Sequence, residues 1–197
     1  MLSSQEIARA LQGSWYLFRN RPEGMRAFDV SINGFWRSFA VVLLLVPLFV
    51  ISSLAEKKLL LDETDFISET FPVGTYWLAQ FTSLGLDWLA LPLLLAVLAR
   101  PLGIAQGYVP FIVARNWTSL LAAVPYVCVS LLYLMGVIAP GIMVLLSLMS
   151  LIVVIWFRFL VTRISLQANL SMTIGIVILD IVLSLLIGEL VGRMWGL

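Results

Sequence analysis

Four ionisable side chains stand inside long apolar runs of the chain: Asp87, Arg115, Arg158 and Asp180. A charge at the centre of a hydrocarbon layer costs roughly 2.5–3.5 kcal/mol even on lenient insertion scales, so each such residue needs a partner or a task. Three chemistries fit the pattern. A carboxylate paired with a guanidinium, or hydrogen-bonded to Trp, Ser or Thr, fixes the register of two helices. A carboxylate on a polar path serves as a proton or cation site. Two aspartates that share a proton are the apparatus of an intramembrane protease. Other chemistries are excluded by composition. The chain has no His, so Ser-His-Asp and Cys-His catalysis, HExxH metalloprotease sites and His-ligated metals are out. Cys128 is the single cysteine, so neither an internal disulfide nor a cysteine-cluster zinc site can form.

The elements that must hold these charges are helices in lipid. Charged residues make up 12% of the 197, hydrophobic residues 61%, and the mean hydropathy is +1.05. A soluble domain carries roughly 25% charged residues, so this chain has about half the charge needed to coat a globule. The net charge of +1 leaves no basic excess for nucleic acid. A bilayer core needs about 20 apolar residues per helix. The uncharged stretch 38–55 supplies one span, and 76–99, broken only by Asp87, a second. Residues 116–157 carry no charge and are long enough for two helices. The turn between them belongs at 136–141, where Gly136, Pro140 and Gly141 fall, because Pro suits the first position of a helix. The third span therefore ends near Ile138 and the fourth starts near Pro140. A start as early as Tyr108 places Arg115 and Asn116 inside the third span. The fifth span covers about 171–192, interrupted by Asp180 and Glu189. The expectation is an all-α polytopic bundle of five transmembrane spans preceded by an amphipathic interfacial helix. Residues 1–34 form the cytoplasmic N-terminal segment and 35–197 the transmembrane domain.

Lys and Arg near the span ends set the orientation. Nine fall on one side (Arg9, Arg19, Arg21, Arg26, Arg37, Arg100, Arg115, Arg158 and Arg163) and three on the other (Lys57, Lys58 and Arg193). The richer side is expected to be cytoplasmic, with the N-terminus inside and the C-terminus outside a bacterial inner membrane. Trp36, Trp117 and Trp156 then fall near the inner interface, and Trp77 and Trp195 near the outer one. Trp88 sits mid-span and does not fit this belt. No secretory leader is expected, since the first apolar run starts far from Met1 and no small-residue cleavage site follows it. No lipidation signal is evident. The acids of the first outer loop, Asp62, Glu63, Asp65 and Glu69, lack the order of a calcium loop and read as a solvated face. Gly103 and Gly107, beside Pro101 and Pro110, read as turn residues of a short inner loop.

Ser3 and Glu6 form the pattern of a capping box. Behind them Ile7, Ala10, Leu11, Trp15 and Phe18 recur at helical spacing, closed by 20–24. The membrane-surface residues of this helix are Arg9, Trp15, Phe18 and Arg19, with the arginines suited to anionic headgroups. The competing reading packs the helix under the bundle, and both can hold together. A second apolar set, Met25, Phe28, Ile32, Phe35 and Phe39, leads into the first span. In the fifth span Asp180, Ser184, Gly188, Gly192 and Gly196 recur every four residues. Small residues at that spacing let two helices approach closely, inside the bundle or in a second copy or partner. Asp180 then lies on a protein-facing stripe. Counting ~1.5 Å per residue, Asp180 lies roughly 13 Å deep and Arg158 roughly 6 Å, within reach of an extended arginine, and Arg115 lies at similar depth. Pro47, Pro92 and Pro125 sit mid-span, where they kink helices and free carbonyls.

A cytoplasmic N-terminus, five helices, short loops and an outer C-terminus together resemble the Yip1-domain superfamily, although the DLYGP motif of its eukaryotic members is missing. The segments Gly13-Ser14-Trp15 and Gly34-Phe35-Trp36-Arg37-Ser38-Phe39 look similar to small uncharacterised bacterial inner-membrane proteins. This resemblance implies a non-catalytic role in organising membranes or recruiting proteins, with no cofactor. The runner-up is a small transporter or permease. The protease reading resembles presenilin-type proteins, whose GxGD motif is incomplete here: Asp87 follows Ser83-Leu84-Gly85-Leu86, and Asp180 follows Val177-Ile178-Leu179.

Overall fold

The computed structural model describes residues 2–63 and 71–196. Asp65 and Glu69 of the acidic loop lie outside them. The described residues fold into helices α1 (Ser4–Phe18), α2 (Ile32–Phe39), α3 (Val42–Glu63), α4 (Val73–Leu98), α5 (Ala105–Leu134), α6 (Pro140–Leu166) and α7 (Leu170–Trp195), with a 3₁₀ turn at Pro22–Ala27. Five segments are long and apolar enough to cross a membrane: Ile32–Glu63, Val73–Leu98, Ala105–Leu134, Pro140–Leu166 and Leu170–Trp195. The turn between α5 and α6 forms where glycine and proline call for it. Gly136 has φ +74°, a conformation that favours glycine, and Pro140 opens α6. α5 begins before Tyr108 and takes in Arg115 and Asn116 in its first half.

The first span has a hitch that the hydropathy pattern does not reveal. Between α2 and α3 the Leu43 N–H bonds to the Ala40 carbonyl, one residue short of the α-helical partner. That leaves the Phe39 carbonyl free, and the Trp88 indole N–H of α4 donates to it at 3.2 Å. Trp88 is buried, 7% exposed. Its place away from the aromatic belt follows from this bond, since a buried indole N–H needs an acceptor.

The N-terminal helix is capped by Ser3, whose Oγ accepts the Glu6 N–H at 3.1 Å. The reciprocal half of the capping box is absent, because the Glu6 carboxylate takes Arg37 of α2 at 2.5 Å instead. The same guanidinium lies 3.6 Å from Asp29, whose carboxyl the Ser31 hydroxyl and N–H hold below the usual carboxylate range. The protein-facing side of α1 is Glu6, Ala10, Gly13, Ser14 and Leu17, whereas Leu11 and Trp15 are exposed. The sequence pattern put Leu11 and Trp15 on the apolar face with Ala10, a face open either to the leaflet or to the bundle, and named Trp15 a surface residue; the exposed Trp15 agrees with that. Small residues win the protein-facing side because the following turn comes very close: Gly24 lies against Gly13, and a Cβ on Gly13 would stand 2.8 Å from the Gly24 carbonyl oxygen. Ala10, Leu17, Phe28 and Phe35 join Leu91, Phe111 and Phe157 in one core, so the N-terminal segment packs into the same end of the bundle that holds the α4–α5 and α6–α7 connections.

On α7 the side toward the bundle is Thr173, Ile176, Val177, Ile187 and Val191, packed on α4 and α6. Gly188 faces out, and a Cβ there would meet nothing within 4 Å. Gly196 has φ +68° and closes the helix as its left-handed cap. Within the chain, then, the stripe does not serve as a close helix contact at Gly188.

Gly13→Leu should destabilise the protein by about 1–3 kcal/mol, the usual cost of forcing methylenes into a packed contact. Gly188→Leu should change the stability of the single chain by less than about 0.5 kcal/mol. Unfolding of the purified protein in mixed detergent micelles measures both, and an equal loss for the two would show that the α1 contact is not close-packed.

Candidate functional site

α5, α6 and α7 bring three of the four sequence-identified charges to one point. The two oxygens of Asp180 are taken by two different guanidiniums: Arg115 Nη2 lies 3.0 Å from Oδ1 and Arg158 Nη1 lies 2.8 Å from Oδ2. The Arg115 side chain is 8% exposed, that of Asp180 13% and that of Arg158 33%. Arg158 therefore keeps partial contact with the surroundings while Arg115 is committed to the interior. Charge-assisted bonds of this kind are short and strong, and inside a low-dielectric bundle each ion needs them to offset its lost hydration.

The fourth charge is linked through a hydroxyl. One turn beyond Asp180 on the same face of α7, Ser184 Oγ donates to Asp87 Oδ1 of α4 at 3.0 Å. Four helices thus converge on two carboxylates and two guanidiniums whose formal charges sum to zero. The groups around them are already occupied. Thr118 and Ser119 of α5 donate to the carbonyls of Ala114 and Arg115 at 2.7 and 2.8 Å, and Thr162 of α6 donates to that of Arg158 at 2.7 Å. The cavity that these residues line beside Asp180 measures about 20 Å³. A cavity needs roughly 10–15 Å³ to hold one water, so there is room for a single small molecule. One buried donor beside it, Arg115 Nε, has no protein partner.

Asn116, next to Arg115, is fully buried and donates from Nδ2 to Ser38 Oγ at 2.9 Å, while Ser38 donates to the Phe35 carbonyl at 2.7 Å. This chain ties α5 to α2 beside the ion site. Sequence reasoning placed Asn116 in the span but gave it no partner, because spacing along one chain does not tell which helix faces it. A second polar cluster was missed. Glu56 of α3 accepts from Gln80 Nε2 at 2.9 Å, and the Tyr76 hydroxyl donates to the Ser53 carbonyl at 2.6 Å while standing 3.5 Å from Glu56. The only signal was Gln80, a polar residue in the second apolar run.

Of the four residues read as membrane-surface contacts, Arg9, Trp15 and Arg19 are exposed. Phe18 is half-buried, with its ring edge-on to Phe157 at 5.3 Å. Among the described residues no group of three or more Cys, Asp or Glu side chains is arranged to hold a metal ion. Comparison of the chain with protein families, with curated proteins and with solved structures finds no match.

Asp180→Asn should destabilise the protein by about 3 kcal/mol, because it leaves the buried Arg115 and the part-exposed Arg158 without a counter-ion. Arg115→Gln should cost more than Arg158→Gln, since Arg158 is the more exposed partner. Equilibrium unfolding in detergent measures the series. An Asp180→Asn variant as stable as the parent would remove the ion site from any structural role.

Proposed function

We propose that this chain is a five-span integral protein of a bacterial cytoplasmic membrane, non-catalytic, acting as a Yip1-like scaffold or as an accessory subunit of a membrane complex. The N-terminus lies inside and the C-terminus outside, as the nine-to-three distribution of Lys and Arg favours. α1 then lies at the inner leaflet. Its small-residue face packs on the bundle, and Trp15 and the exposed Arg9 and Arg19 turn to the headgroups.

The observation that carries the scaffold reading is the closure of the ion site. A transporter of protons or cations needs a wet path to Asp87 or Asp180. Here both oxygens of Asp180 are engaged by arginine, Asp87 is bonded to Ser184, and the adjoining cavity is about one water in size. Such a site suits a structural lock that holds four helices in register. The stripe of Gly188, Gly192 and Gly196, with exposed Leu185 and Leu190 beside it, is the surface offered to a second copy or a partner subunit.

A reporter enzyme that works only outside the cytoplasm should be active when fused after Leu197 and silent when fused ahead of Ser3. The reverse pattern would invert the topology. In reconstituted vesicles the protein should carry no pH-dependent cation flux, whereas a flux abolished by Asp180→Asn would replace the scaffold with a transporter.

A further inference from the structure

Over α5, between α3 and α6, a groove of about 430 Å³ runs from Leu45, in the core that α1 joins, to Met143, in the smaller core of the opposite end. Leu45, Leu48 and Phe49 form its apolar depth, and Glu56 stands on its wall. The hydroxyl-bearing residues along it are Ser52, Tyr126, Ser130 and Ser147. Among the described residues these four hydroxyls make no hydrogen bond. Their counterparts elsewhere in α5 and α6 behave differently: Thr118, Ser119, Ser150, Thr162 and Ser165 each donate to a carbonyl of their own helix.

The carboxylate on the wall is likewise incomplete. Glu56 is held in place from α4 by Gln80 at 2.9 Å and faces the Tyr76 hydroxyl at 3.5 Å, both neutral donors. Neither neighbouring lysine pairs with it. Lys58 reaches Asp62 at 3.8 Å and lies over the Tyr133 ring, and Lys57 lies over the Phe71 ring at 5.4 Å. Asp180, by contrast, has two cations. The groove therefore presents an oriented carboxylate without a counter-ion, at one end of a largely apolar trough with unengaged hydroxyls. The trough is of the size that ligand pockets have, about 300–1,000 Å³. A carboxylate without a counter-ion attracts one positive charge, and an apolar trough rewards an apolar body attached to it.

We propose that this groove binds an amphiphile with an ammonium-type head, its positive charge against Glu56 and its apolar body along α5 between α3 and α6. The cation can come from a free amphiphile or from an amine-headed lipid. This assignment rests on Glu56 and the groove and is independent of the ion site at Asp180.

The test uses the full chain in maltoside micelles, with radiolabelled tetraphenylphosphonium as the probe in equilibrium dialysis. Saturable binding at one site per chain is expected, weakened by about tenfold in Glu56→Gln, which removes the charge opposite the cation. Ser130→Leu, which fills the groove and keeps the carboxylate, should weaken it similarly, while Asp62→Asn should leave it unchanged. On the wild-type chain, radiolabelled tetraphenylborate, of the same shape and opposite charge and dialysed by itself, should not bind saturably. Phosphatidylethanolamine competing where phosphatidylglycerol does not would assign the cation to a lipid headgroup, and competition by neither would assign it to a free amphiphile. Absence of saturable binding, equal affinity in Glu56→Gln, equal saturable binding of tetraphenylborate, or equal competition by both lipids overturns the site. The competition arms need no variant, so a variant that fails to fold does not spare the inference.

Discussion

A carboxylate and two guanidiniums in an apolar bundle cannot be left apart. Separated, each faces a desolvation cost of several kcal/mol. Joined as Asp180 is to Arg115 and Arg158, they meet that cost together. This single requirement fixes much of the architecture. It places α5, α6 and α7 side by side, sets their relative heights to within one arginine side chain, and turns one face of α7 inward. The same face then carries Ser184 to Asp87, which draws α4 into the arrangement. Apolar packing alone is tolerant of sliding and rotation, because one leucine surface resembles another. The ion site is not, since each carboxylate oxygen has its own partner.

The two ends of the bundle are built differently around that lock. At the N-terminal end, α1 and its 3₁₀ turn fill the space between the helices with Leu17, Phe28 and Phe35, and the Glu6–Arg37 pair clips α1 to α2. At the other end Ala55 of α3, Val129 and Tyr133 of α5 and Met143 of α6 form a second, smaller core. Tyr133 and Asp62, 2.6 Å apart, tie α3 to α5 there.

Much of the fold was legible in the sequence for a simple reason. Lipid leaves few choices, and uncharged runs of about 20 residues must be helices. The five spans, the turn at Gly136 and Pro140, and the cap at Ser3 all follow from local chemistry. The depth count likewise put Arg115 and Arg158 within reach of Asp180, and the geometry joins both. What spacing could not supply was facing. The apolar pattern of α1 left open whether its large side chains or some other side would meet the bundle, and the close approach of Gly24 to Gly13 selected the small side. Gly188 looked like a helix contact and points away from the chain. The partners of Trp88, Asn116 and Glu56 lie 24 to 78 residues away along the chain, beyond any periodicity.

The connection between α6 and α7 is only the three residues 167–169, with Gln167 in the left-handed conformation and Asn169 capping α7 through the Met172 N–H at 2.9 Å. Arg158 and Asp180 thus sit on the two arms of one tight hairpin. During synthesis α6 emerges first and carries a guanidinium that lipid rejects, while Arg115 already waits in α5. Until α7 is in place, Asp87 of α4 is the one carboxylate of the site facing two guanidiniums, so neutrality arrives only when the hairpin closes and α7 brings Asp180.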